Sequence, residues 1–83
     1  MAHFVYILRS ERTGRYYTGY SADPQRRLED HNRGQVKATR YGIPWSLVYT
    51  ESFGEAREAR QREYKLKSMK SRAFLESLIQ REG

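Results

Sequence analysis

The chain has 83 residues, no cysteine, and sixteen Lys/Arg against ten Asp/Glu, which gives a net charge of +6 and a pI near 9.9. That length holds one domain, residues 1–83, with a thin core, because so short a chain buries only about 60–65% of its unfolded surface. The missing cysteines exclude a disulfide framework and a cysteine zinc site, and the longest apolar run, Phe4 to Leu8, is far short of the ~20 residues a membrane span needs. No charged segment, apolar stretch and cleavage site precede Phe4, so the expectation is a cytoplasmic protein without a secretory signal or a membrane partner.

His3 to Arg9 is rich in β-branched and aromatic residues and reads as a strand. Glu11 to Gly14 reads as a turn with Gly14 at positive φ, and Arg15 to Tyr20 as the returning strand of a hairpin. The first strand is apolar on both faces (Phe4, Tyr6 and Leu8 against Val5 and Ile7), so helices should cover the sheet on both sides. Asp23 is a good N-cap, Pro24 suits the first helical position and Gly34 suits the stop, which frames a helix from Pro24 to about Arg33. Gln35 to Pro44 reads as a polar loop and Trp45 to Phe53 as a third strand. Two helices close the chain, about Glu55 to Ser68 and Ser71 to Gln80, the second capped by Ser71 and apolar at Phe74, Leu75, Leu78 and Ile79. The fold class is therefore α/β (α+β): a small three-stranded antiparallel sheet flanked by helices in the order ββαβαα.

Charge is uneven along this frame. Between Arg57 and Arg72 stand seven basic residues and two acidic ones, a local net charge of +5. Clustered positive charge is the electrostatic footprint of a phosphate-backbone partner, although a solvated helix face would look the same. An interfacial membrane helix is disfavoured, since the segment lacks a Trp/Phe/Leu face.

Three sets of residues could carry chemistry. Ala56, Ala59, Glu63 and Leu66 share one helical stripe that should face the sheet, and a carboxylate there needs a partner. That partner is either an arginine, with Arg27 the candidate, or a bound cation. Arg27 and His31 are four apart and project from one side of the first helix. An arginine can grip a phosphate and a histidine can pass a proton; equally, both can be an ordinary helix-surface pair. Tyr6 and Tyr17 lie on adjoining strands, where a hydroxyl can relay a proton or a ring can simply pack. His3 has no comparable company.

The ordered set Phe4-Val5-Tyr6, a ten-residue gap, Tyr17-Thr18-Gly19, Arg27, His31-Asn32, Gly34 and a later helical Glu63 resembles the GIY-YIG nuclease domain, over nearly the whole chain. The small stand-alone branch is especially similar, with its Gly-Ile-Pro-Trp loop (Gly42 to Trp45), Leu-Val-Tyr strand (Leu47 to Tyr49) and Lys-Ser-Arg join (Lys70 to Arg72). The resemblance implies one Mg²⁺ (or Mn²⁺) ion on Glu63, Tyr6 as the base that deprotonates the attacking water, Tyr17 and Arg27 on the scissile phosphate, and His31 assisting near the same phosphate. Phe4 replaces the first motif's glycine and Thr18 the second motif's isoleucine, both at non-catalytic letters. Tyr20 stands where some repair members carry lysine, and an attached DNA-binding domain of the kind many members use is not expected.

The resulting expectation is a metal-dependent endonuclease acting on nucleic acid, DNA in preference to RNA, in repair or recombination. Lys37, Arg40, Arg62, Lys65, Lys70 and Arg72 would hold the backbone without reading bases. No dinucleotide or small-molecule cofactor is expected, and the oligomeric state is open. The alternatives are a non-catalytic nucleic-acid-binding or protein-interaction module on the same fold, and a structural domain whose charge serves solubility alone.

Overall fold

A computed structural model describes residues 2–82. The elements run β1 (His3–Ser10), β2 (Tyr16–Ser21), α1 (Pro24–Asn32), a 3-10 helix (Lys37–Gly42), β3 (Trp45–Phe53), α2 (Ala56–Met69) and α3 (Arg72–Glu82). The strands form one antiparallel sheet in the order β2-β1-β3, so the expected ββαβαα arrangement is the observed one. Among the described residues no helix is long and apolar enough to cross a membrane.

β1 is the central strand, and its two apolar faces feed two separate cores. Val5 and Ile7 point into a cluster with Tyr49 of β3, Ala59 and Leu66 of α2 and Leu78 of α3. Tyr6 and Leu8 point the other way, packing with Trp45 and with Tyr17, Leu28 of α1 and Ile43. Each fully buried aliphatic side chain contributes about 1.5–3 kcal/mol, which is why a double-sided central strand is worth its loss of polar positions. A bulge interrupts the β1–β3 ladder: Ile7 pairs with Tyr49 but Leu8 with Leu47. The extra residue, Val48, packs with Tyr49 in the same cluster.

Local chemistry fixes the connections. Gly14 has φ +77° in the β1–β2 turn. Buried Ser10 accepts hydrogen bonds from the Arg12 and Thr13 amides and donates to the Gly42 carbonyl at 2.7 Å, tying the hairpin to the 3-10 helix. The Asp23 side chain accepts from the Arg26 amide at the start of α1, and Gly34, at φ +78°, lies just past its end. The 3-10 helix replaces the polar loop expected between Gln35 and Pro44. Its organising residue is Thr39, 1% exposed, whose amide and hydroxyl both donate to the Val36 carbonyl. The α2–α3 corner turns at Lys70, the one described non-glycine residue with positive φ (49°), and Ser71 caps α3 by accepting from the Phe74 amide.

Candidate active site

The hairpin register puts Tyr6 opposite Gly19 and Leu8 opposite Tyr17, so the two tyrosines are diagonal neighbours on one face, their ring centres 6.4 Å apart. The Tyr6 ring lies directly over Gly19: a Cβ at that position would stand 2.5 Å from both Cζ and Oη of Tyr6. The glycine of the second motif is therefore the space in which the first motif's tyrosine rests.

α1 supplies the next two groups. His31 is fully buried behind Tyr6, with its Nε2 3.0 Å from the Tyr6 hydroxyl and its Nδ1 2.7 Å from the Thr39 hydroxyl. Because that hydroxyl already donates to the Val36 carbonyl, its oxygen accepts from His31 Nδ1–H. The imidazole then presents a lone pair at Nε2, and Tyr6 is the donor. Burial holds the His31 pKa below its ordinary 6.5; the Arg27 charge acts the same way and Asp30 opposes them. Burial likewise pushes the Tyr6 hydroxyl above its ordinary 10, with the Arg27 guanidinium pulling down against it and Tyr17 and Glu63 adding to the rise. Arg27 sits at the mouth, its side chain 39% exposed and 3.5 Å from Asp30. Burial works against its charge, but Tyr6, Asp30 and Tyr17 outweigh that and hold the guanidinium firmly protonated.

Glu63 arrives from the other layer. Ala59 and Leu66 of its stripe are buried, whereas the Glu63 side chain is 22% exposed. Its Oε2 pairs with Lys67 Nζ at 3.0 Å, four residues on, so the Arg27–Glu63 pair considered from the sequence does not form. Arg27 belongs to the α1 layer and finds Asp30 there instead. The two layers meet around the free edge of β2, where Lys67 reaches past the sheet to lie 5.5 Å above the Tyr17 ring.

Glu63 offers a divalent ion one carboxylate. No group of three or more His, Cys, Asp or Glu side chains gathers among the described residues, so a cage of protein ligands is not built here. One half-exposed carboxylate on a cleft of about 430 Å³ suits a hard ion that keeps most of its water and takes phosphate oxygens, as Mg²⁺ and Mn²⁺ do.

The six candidate backbone-binding cations separate in space. Lys70 and Arg72 line a cleft of about 410 Å³ with Tyr17, Lys67 and Arg15. Arg15 is a member that sequence reasoning missed, because it stands alone after the Gly14 turn, far from the basic segment. Lys65 lines a different groove with Arg57, Arg60 and Tyr64. Lys37 and Arg40 are exposed on the 3-10 helix, Arg40 Nε donating to the Gly34 carbonyl. Arg62 turns inward, its guanidinium 2.8 and 3.3 Å from the two Glu51 oxygens. Thr39 is the other candidate site residue the sequence did not reveal, since its contact with His31 is made only by folding.

The sequence profile of the family described as GIY-YIG catalytic domain matches residues 2–76. A UPF0213 protein of Halobacterium salinarum is 47% identical over 93% of this chain and 99% of its own length. A UPF0213 protein of Staphylococcus aureus is 46% identical over 81% of this chain and 82% of its own. The solution NMR structure of a UPF0213 protein from Bacillus halodurans is similar at a TM-score of 0.62 and 40% identity, covering 100% of this chain and 87% of that one.

Proposed function

The chain belongs to the GIY-YIG catalytic domain family, and on that premise we propose that it is a divalent-metal-dependent endonuclease that hydrolyses phosphodiester bonds in nucleic acid, DNA in preference to RNA. The observation that carries the reading is the buried chain Tyr6 Oη–H to His31 Nε2, His31 Nδ1–H to Thr39 Oγ1, with the half-exposed Arg27 guanidinium beside the Tyr6 hydroxyl. A tyrosine whose pKa is raised is a poor base by itself. It becomes a proton relay when a neutral imidazole stands ready behind it. As water attacks phosphorus, its proton passes to Tyr6 Oη while the Tyr6 proton moves to His31 Nε2. The phosphorus–oxygen bond on the opposite side breaks, and the departing oxygen takes a proton from solvent. His31 therefore acts through Tyr6 and not on the phosphate directly. Thr39 positions His31 by fixing its tautomer.

Arg27 holds a non-bridging oxygen at the mouth and stabilises the charge that develops there. Tyr17, beside Lys70 and Arg72, holds the same phosphate by its hydroxyl. Glu63 would hold the ion, which when bound neutralises phosphate charge and polarises the bond. Lys70, Arg72 and Arg15 line the backbone track, Lys65, Lys37 and Arg40 offer separate outer contacts, and Arg62 is already satisfied by Glu51. Nothing in this arrangement reads base edges, so binding is backbone-led. A role in repair or recombination fits a cutter of that kind.

The test is purified protein with Mg²⁺ or Mn²⁺ against labelled single-stranded, duplex and branched DNA and RNA, with an EDTA control. Metal-dependent scission that disappears in Tyr6→Phe is the expected result. Folded protein that cuts none of these, or cuts equally in EDTA, overturns the assignment.

A further inference from the structure

The contact between Lys67 and Glu63 lies at the open end of the site, and the chemistry above leaves it unused. Lys67 Nζ stands 3.0 Å from Glu63 Oε2 and 5.5 Å from the centre of the Tyr17 ring, on a side chain 49% exposed. The same side chain lines both the cleft at Glu63 and the cleft shared by Tyr17, Arg15, Lys70 and Arg72. It is the element common to the ion-holding and phosphate-holding halves of the site.

We propose that Lys67 is a substrate-contacting residue with two positions: a tethered cation on Glu63 while the divalent ion is absent, and a ligand to a non-bridging phosphate oxygen beside Tyr17 once Glu63 is taken. The inference rests on Glu63 being the ion-holding carboxylate. An ammonium in contact with that carboxylate and a divalent ion on the same oxygens would stand about 5 Å apart or less, and their repulsion even in water amounts to about a tenfold loss of ion affinity. One cation must leave. Lysine is suited to leaving, being a compact point charge on a flexible four-carbon stem. Arg62 and Arg72 differ in this respect, since their guanidinium groups are held by Glu51 and Glu76. A swing of the outer Lys67 torsions carries the charge from Glu63 to the Tyr17 side, among cations that line the same cleft. Positive charge thereby stays in the site without the ion and is passed to the substrate when the ion arrives. An ordinary helix-surface pair at this spacing contributes only a few tenths of a kcal/mol and would change ion affinity by no more than about twofold.

Mn²⁺ binding, read by electron paramagnetic resonance of the free ion without nucleic acid, tests the first position. Lys67→Met should bind Mn²⁺ about tenfold more tightly than the parent, with Glu63→Gln giving the background. Lys67→Gln serves as a second variant should Lys67→Met melt abnormally. The second position is tested in EDTA with an oligonucleotide and varied salt. Glu63→Gln frees Lys67, so its log–log salt slope should steepen by about 0.7–0.9, one phosphate contact, and the Glu63→Gln/Lys67→Met double variant should return to the parent slope. Mn²⁺ affinities within threefold between parent and Lys67 variants overturn the proposal while leaving the ion assignment standing. Mn²⁺ binding no stronger in parent or Lys67→Met than in Glu63→Gln overturns both. An unchanged slope in Glu63→Gln overturns the phosphate position.

Discussion

Tyr6→Phe removes one oxygen from a chain that runs from Tyr6 through His31 to Thr39. The ring keeps its place over Gly19, so packing is preserved, but His31 Nε2 is left as a buried acceptor with no donor. Two effects should appear together: turnover falls by about 10²–10⁴, the range for a proton-handling group, and stability falls by about 1–3 kcal/mol, the cost of an orphaned buried polar atom. Activity assayed alongside thermal melts separates them, and full turnover per folded molecule would return Tyr6 to the core. His31 gives a second prediction at this scale. Its native pKa lies below 6.5 through burial, whereas the unfolded chain has the ordinary value. Between those two pKa values the unfolded state binds more protons than the native state, so stability must fall as pH drops below about 6.5 and must stop falling once the native pKa is passed. His31→Gln should flatten that part of a melting-temperature profile, and an unchanged slope between parent and variant would show that His31 is not held neutral. Cleavage by the parent should fall only below that window, as pH passes the lowered native pKa of His31, because a protonated imidazole cannot accept the Tyr6 proton.

α2 shows how far a helix can be read before its neighbours are known. The 3-4-3 stripe placed Ala59 and Leu66 correctly against the sheet, whereas Glu63, expected on the same inward stripe, stands at its margin, 22% exposed. What the pattern could not say is that the seven cations from Arg57 to Arg72 face in different directions. Arg62 is held by Glu51, a residue of β3 eleven positions earlier, while Lys70 lies in the cleft beside Tyr17. The two substitutions should therefore act oppositely. Arg62→Ala, which breaks a pair whose side chains are 24% and 26% exposed, should cost about 1 kcal/mol or less, up to about 4–8 °C of melting temperature in a domain of this size, and leave the salt dependence of nucleic-acid binding alone. Lys70→Ala should leave melting nearly unchanged and flatten the log–log slope by about 0.7–0.9. The reverse pattern would mean that the inward face of α2, and not the Tyr17 cleft, lies on the backbone.

Over the whole molecule, the order ββαβαα was legible because each element carries its own period and its own cap, and because a strand apolar on both faces demands cover on both. The hairpin spacing and the Arg27/His31 interval are likewise local, but alone they left packing and helix-surface readings open, and it was the resemblance of the ordered motifs that singled out Tyr6, Tyr17, Arg27 and His31. Thr39, Gly19 and Arg15 act through contacts between elements, and those depend on register and layer order. The same limit explains the Arg27–Glu63 pair: both residues wanted a partner, but they sit on opposite layers, where Arg27 pairs with Asp30 and Glu63 with Lys67. This layer order determines what Glu63→Gln will do. Had Glu63 and Arg27 been a buried pair, the substitution would have cost about 3–5 kcal/mol. With Lys67 as partner, 49% exposed, the loss is that of an exposed ion pair, about 1 kcal/mol or less, and in EDTA the variant should melt within about 4–8 °C of the parent. A ligand that binds only the folded state adds RT ln(1 + [L]/Kd), about 1.4 kcal/mol at ten times Kd, so Mg²⁺ should raise the parent's melting temperature by roughly 6–11 °C under that condition. Glu63→Gln should abolish the rise along with cleavage, while nucleic-acid affinity holds or increases as a negative charge leaves the phosphate site. Paired melts of parent and variant, each in EDTA and in Mg²⁺, decide the matter: equal Mg²⁺ stabilisation of both would remove Glu63 from the ion, and a variant destabilised by several kcal/mol in EDTA would make it a structural residue.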